Sequence, residues 1–178
     1  MGDVGHRIPV KQSDRDKMNK IYPYYGASGV IDYVESFIFD GDFILLGEDG
    51  ENIESRVLPL AFRVSGKFWV NNHAHVFEAR KGFDIDFLTE LLEATDYKGI
   101  TIGSAQPKIT QVGLHRLQFA VPKFSEQVRI STVMRGLYEI LRSEGEEYEK
   151  LKELKQGLMQ DLLTGRVRVK VPEEEPRC

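Results

Sequence analysis

Residues 125–164 read SEQVRISTVMRGLYEILRSEGEEYEKLKELKQGLMQDLLT, and this stretch decides the architecture. Ile130, Met134, Leu137, Leu141, Tyr148, Leu151, Leu158 and Leu162 recur at three-, four- or seven-residue steps, the spacing of one helix face. Val133, Ile140 and Leu154 widen that stripe. Ser125 is the expected N-cap and Gly165 the expected stop, so the pattern predicts a helix of about 40 residues, ~60 Å long. Its weak point is the interruption at Glu144-Gly145. A stripe of that length has too little domain beside it to be buried internally and calls for a second helix. The alternative is a helix that folds back on its own domain.

Upstream, residues 1–123 read differently. Short period-2 segments rich in Gly, Tyr, Phe and Asn are broken by turn residues. Phe37-Ile38-Phe39 leads into Asp40-Gly41-Asp42, and Phe43-Ile44-Leu45-Leu46 into Gly47-Glu48-Asp49-Gly50. Both breaks, and Ser65-Gly66 between Ala61-Phe62-Arg63-Val64 and Lys67-Phe68-Trp69-Val70, are hairpin signals. Asp84 to Thr95 has helical spacing at Phe87, Leu88, Leu91 and Leu92. The expected fold class is α+β: a small mixed-sheet domain over 1–123, a long coiled-coil-forming helix over 124–164, and a loose tail over 165–178 that carries Glu173-Glu174-Glu175 between two prolines.

Composition narrows the function. Hydrophobic residues make up 41% of the 178, enough for a real core. The single cysteine is Cys178, so no internal disulfide forms and a cytoplasmic location is expected. No apolar run is long enough for a signal peptide or a membrane helix. The formal net charge of −4 argues against a protein that coats nucleic acid through bulk charge, while leaving room for a local basic face. Nucleotide-binding loops, dinucleotide fingerprints, cysteine-spaced zinc pairs and hydrolase elbows are missing, as is the Asn/Asp-Pro-Pro-aromatic motif expected of an adenine methyltransferase. No cofactor is expected.

Three segments carry binding chemistry, each beside a plainer reading. In Tyr22–Gly29 (YPYYGASG), Tyr25, Gly26 and Ser28 suit stacking and close backbone approach to phosphate; on the residues alone a tight turn with tyrosines at the core edge is favoured. Trp69–Val76 (WVNNHAHV) alternates as one strand, with Asn71, His73 and His75 on one face and Asn72 on the other. Asn pairs bidentately with adenine, and a capped turn suits it equally; two histidines at i, i+2 suit a metal, but no third ligand follows from the spacing, so structural or hydrogen-bonding histidines are favoured. Gly103–Gln111 (GSAQPKITQ) reads as a flexible loop whose Gln106, Lys108, Thr110 and Gln111 are groups that meet phosphates and base edges. An ordinary polar loop is its alternative.

Taken in order, Tyr22–Tyr33, Gly47–Gly50, Trp69–Val76 and Gly103–Gln111 resemble the target-recognition domain of type I restriction-modification specificity subunits. Ala120–Gln127 resembles that family's junction into its spacer helix, and Leu158–Val169 the end of that helix. The resemblance implies a non-catalytic subunit that reads double-stranded DNA. Such a subunit normally carries two recognition domains and two antiparallel helices, each domain reading half of a bipartite target. Methyltransferase (M) and restriction (R) subunits supply the chemistry, the methyl donor and the ATP. Only one domain and one helix are present here. Either the chain is a half-subunit that forms a homodimer through Ile130, Met134, Leu137, Leu141, Tyr148, Leu151, Leu158 and Leu162, or it is part of a longer subunit. Two other classes compete: a small enzyme using Asp49, His73 and His75, and a coiled-coil adaptor with no DNA role.

Overall fold

The computed structural model describes residues 2–3, 5–103 and 106–170. Ser104 and Ala105 of the third candidate segment, and the end of the tail with Cys178, lie outside the described residues. The chain divides into two compact units, residues 1–131 and 132–178.

The first unit is built on a mixed six-stranded sheet. Its strands are β1 (Gly2–Asp3), β2 (Tyr22–Gly26), β3 (Gly29–Val34), β4 (Phe39–Gly47), β5 (Ala61–Val70) and β6 (Ala74–Glu78), in the spatial order β1-β6-β4-β5-β2-β3. All pairings are antiparallel except that of β2 with β5, which is parallel. Short helices α1 (Gln12–Arg15) and α2 (Asn52–Ser55) sit in connections. The nine-residue α3 (Ile85–Glu93) starts at Asp84, whose carboxylate accepts from the Phe87 N–H at 2.8 Å. A two-stranded pair, β7 (Thr101–Ile102) and β8 (Lys108–Ile109), and α4 (Gln111–Leu114) complete the unit.

Two of the three expected hairpin breaks are not breaks. β4 runs unbroken through Asp40-Gly41-Asp42, and β5 through Ser65-Gly66. The register explains both, because Gly41 lies directly opposite Gly66. Their φ angles, 141° and 85°, lie in the region that favours glycine. The two glycines therefore mark one shared bend in a long ribbon. Geometry requires such a bend. Phe68 pairs with Phe39 at one end of β4, and only six residues later Ala74 pairs with Gly47 at the other end. Six residues span at most ~21 Å, whereas a flat ribbon would separate those points by more than ~26 Å. The sheet curls until the two ends meet.

That curl buries both faces of β4, which is why Phe43-Ile44-Leu45-Leu46 is continuously apolar. Leu45 and Phe43 point into the curl with Phe39, Val64, Phe68, Val70, Ala74 and Val76. Ile44 and Leu46 face the other way, onto Phe77, Phe87, Leu88, Leu92, Tyr97 and Ile109. Glu93 fastens the end of α3 to the start of β5, its carboxylate accepting from the Leu60 and Ala61 N–H groups at 2.8 and 2.7 Å.

The 125–164 pattern is a single helix, α5, spanning Phe124–Leu163. Ser125 does not cap it; the Lys123 carbonyl already accepts from the Glu126 and Gln127 N–H groups, so the cap position falls two residues earlier. Its first turns belong to the first unit. The buried Gln127 accepts from the Asp84 N–H at 3.0 Å and donates to the Pro122 carbonyl at 2.8 Å. Glu144-Gly145 does not interrupt the helix, and an Arg142–Glu146 ion pair at 3.1 Å spans the spot. Gly165 ends it with φ 73°. From Val133 onward the apolar positions are largely exposed: Leu137, Leu141, Tyr148, Leu151, Leu154, Leu158 and Leu162 all stand open to solvent. No helix among the described residues is long and apolar enough to cross a membrane.

Candidate nucleic-acid interface

Because the sheet curls, loops distant in sequence meet at one place: the β2–β3 turn, the residues after β4, the β5–β6 turn and the segment around β8. The Ala27 carbonyl packs so tightly on Gly47 that a Cβ there would stand 2.6 Å from it. The Asn71 N–H donates to the Tyr25 carbonyl (3.0 Å), and the Glu48 N–H to the His73 carbonyl (2.8 Å). On the far side, the Ile109 N–H donates to the Glu48 carbonyl (2.7 Å) and the Gly50 N–H to the Pro107 carbonyl (3.1 Å). Each loop is thus held by the backbone of its neighbour.

Glu48 is the electrostatic centre, only 6% exposed. Its carboxylate receives Arg7 and, at 2.9 Å, the Lys108 amine, and stands 3.8 Å from His75 Nε2. Burial pushes its pKa up, but the hydrogen bonds from Lys108 and Arg7 outweigh that and hold it below the usual glutamate value. The same contact, a hydrogen bond to Glu48, raises Lys108 above its ordinary value. Beside this network the next residue, Asp49, bonds through both carboxylate oxygens to His73 Nδ1, at 2.8 and 3.0 Å.

The Trp69–Val76 stretch is not one strand. It breaks at Asn71–His73, where the Asn71 side-chain oxygen accepts from the His73 N–H at 2.8 Å and closes a turn. Asn71 is therefore buried and committed to the turn, whereas Asn72 and His73 are exposed. His75 is 1% exposed, with Nε2 bonded to the Ile109 carbonyl at 2.9 Å. It is a core histidine tying β6 to β8. Tyr25 packs on Phe62 and Phe68, and burial raises its pKa, helped by nearby Tyr33. Gly26 is buried and Ser28 half-buried at the β2–β3 turn.

The described part of Gly103–Gln111 is no loose loop either, since apolar Ile109 plugs the core and pins β8. Gln106, Lys108 and Gln111 remain exposed around that plug, and Thr110 caps α4 by accepting from the Gly113 N–H at 3.1 Å. Exposed polar residues of these loops include Asn72, His73, Gln106, Lys108 and Gln111, donors and acceptors of the kind that meet phosphates and base edges. Among the described residues no three His, Cys, Asp or Glu side chains gather to hold a metal ion. Sequence reasoning missed Arg7 and Glu48. Nothing in spacing links them, 41 residues apart.

Comparison with known proteins then gives the chain its relatives. A family model described as type I restriction modification DNA specificity domain matches residues 1–154. A Haemophilus influenzae protein named as a type I restriction enzyme specificity subunit is 34% identical over 132 residues, which cover 74% of this chain and 33% of that protein. The EcoprrI type I restriction enzyme specificity subunit of Escherichia coli is 28% identical over 124 residues, covering 68% and 29%. The crystal structure of a type I restriction-modification S subunit from M. genitalium superposes with a TM-score of 0.58 at 13% identity, over 87% of this chain and 41% of the other. A structure from work on assembly of the type I R-M system gives 0.56 at 14% identity, with the same coverage. At such identities the structural likeness speaks for the fold, and the chain spans about a third of the length of the named relatives.

Proposed function

The chain belongs to the type I restriction modification DNA specificity domain family, and from that premise we propose that its first unit reads one half of a bipartite double-stranded DNA target. The observation that supports the reading is the convergence of four loops around Gly47–Gly50, whose exposed polar residues include Asn72, His73, Gln106, Lys108 and Gln111. In this reading the chain makes and breaks no bond. Methyltransferase and restriction subunits perform the chemistry, and the chain chooses where. Arg7 and Lys108 are matched by Glu48 and Asp49, so a phosphate contact from Lys108 competes with its ion pair to Glu48. Binding by this chain alone is therefore weak, and assembly with partner subunits supplies the rest.

The long helix is the natural second half of the proposal. Its stripe is exposed along Leu137–Leu162, and each aliphatic side chain fully buried there would contribute ~1.5–3 kcal/mol. A second copy related by a two-fold axis supplies an identical stripe, and a two-fold dimer of readers fits an inverted-repeat site. A gel-shift assay with the methyltransferase subunits tests the reading. Retention of specific duplexes only when this chain is present is expected; equal retention without it refutes the role.

A further inference from the structure

We infer that His73 is a base-reading residue and that Asp49 is the positioning residue that decides which ring nitrogen it offers. The inference rests on the DNA-reading proposal and adds the chemistry of one contact. His73 sits at the tip of the β5–β6 turn with its side chain 47% exposed, while the Asp49 side chain below it is 16% exposed. The turn itself is rigid, closed by Asn71 and fastened to Glu48 by the His73 carbonyl. A carboxylate only accepts, so in the neutral imidazole the 2.8 Å contact places the proton on Nδ1. No described residue meets Nε2, which is left as a lone-pair acceptor on the exposed edge of the ring. An acceptor at that point matches an exocyclic amino group in the major groove, the adenine N6 or cytosine N4 amine. Lys108, held 2.9 Å from Glu48 and paired across from Asp49, differs in kind: an ammonium suits any phosphate and carries no sequence information.

Selection from a pool of randomised DNA duplexes, using the full chain assembled with its methyltransferase subunits, tests this. The wild type is expected to select adenine or cytosine at one position of the half-site that this chain reads. His73→Ala should lose that preference, a drop of about fivefold or more in discrimination, while the other positions stay selected. Asp49→Asn should broaden the same position toward guanine and thymine, because an amide both donates and accepts and so permits the other tautomer, with Nε2–H outward. Asp49→Glu, which keeps an acceptor-only group, should restore part of the wild-type preference, and neither Asp49 variant should change the other positions. If His73→Ala weakens all sequences alike, or if no position changes in either His73→Ala or Asp49→Asn, the inference is overturned. A wild-type assembly that selects no sequence overturns the DNA-reading proposal itself.

Discussion

Replacing Glu48 with Gln removes the charge at the meeting point of the loops while keeping the side-chain volume. The Glu48 side chain is 8% exposed, its partner Arg7 18% and its partner Lys108 47%. The half-exposed Lys108 turns to water when released, so its pairing is worth only ~0.5 kcal/mol. Arg7 is more enclosed, and its charge-assisted bond contributes roughly 1.5 kcal/mol. Together the loss is about 2 kcal/mol, which for a domain of this size lowers the melting temperature by about 6–10 °C. The pH dependence has a definite sign. Glu48 is held below its ordinary pKa, so its contribution is complete above the unfolded-state value of ~4.3 and fades as pH falls through the folded value. Thermal unfolding of wild type and Glu48→Gln by circular dichroism should show the full gap at pH 7 and a narrowing one below pH ~4. Equal melting at pH 7, or a gap that is the same at pH 3.5 and pH 7, would refute the assignment of Glu48 as an ionised clamp.

Gly66→Ala forces a Cβ onto a residue with φ 85° and should cost ~1–2 kcal/mol in denaturant unfolding, whereas an alanine at an extended strand position would be nearly neutral. Lys108→Ala should weaken binding of the assembled complex about equally on every DNA sequence and flatten its salt dependence; untouched affinity and slope would remove Lys108 from the interface. Leu137→Asp with Leu151→Asp should leave the sheet domain folded by circular dichroism and abolish self-association in sedimentation equilibrium. A wild-type chain that stays monomeric at tens of micromolar would point to a different occupant for the stripe.

The long helix was legible in the sequence because a repeated apolar face is a local signal, and α3 was legible for the same reason. The strand character of β4, β5 and β6 was legible too, but their connections were not, and β2, β3 and β8 lay in segments read as turn or loop. Gly41 and Gly66 each look like a turn in isolation, and only the register that sets them opposite one another turns two apparent hairpins into one bend. That bend then decides everything at the site, since without it the loops at 26–28, 47–50, 71–73 and 106–111 would not meet. The segments themselves were picked out by their polar, glycine-rich character and family resemblance. Which side chains within them face outward was hidden. Asn71 and His75 have the same chemistry as their neighbours Asn72 and His73, yet one closes a turn and the other ties β6 to the Ile109 carbonyl. Arg7 and Glu48 pair across 41 residues of chain, a distance no local pattern reports.

The claim that this chain chooses DNA sites is tested most directly by mapping methylated adenines genome-wide in cells that carry the methyltransferase subunits, with the gene for this chain present or deleted. A defined sequence motif that is methylated only when the chain is present is expected. In cells carrying His73→Ala that motif should degenerate at one position of the half-site read by this chain. A methylation pattern identical with and without the chain would contradict it.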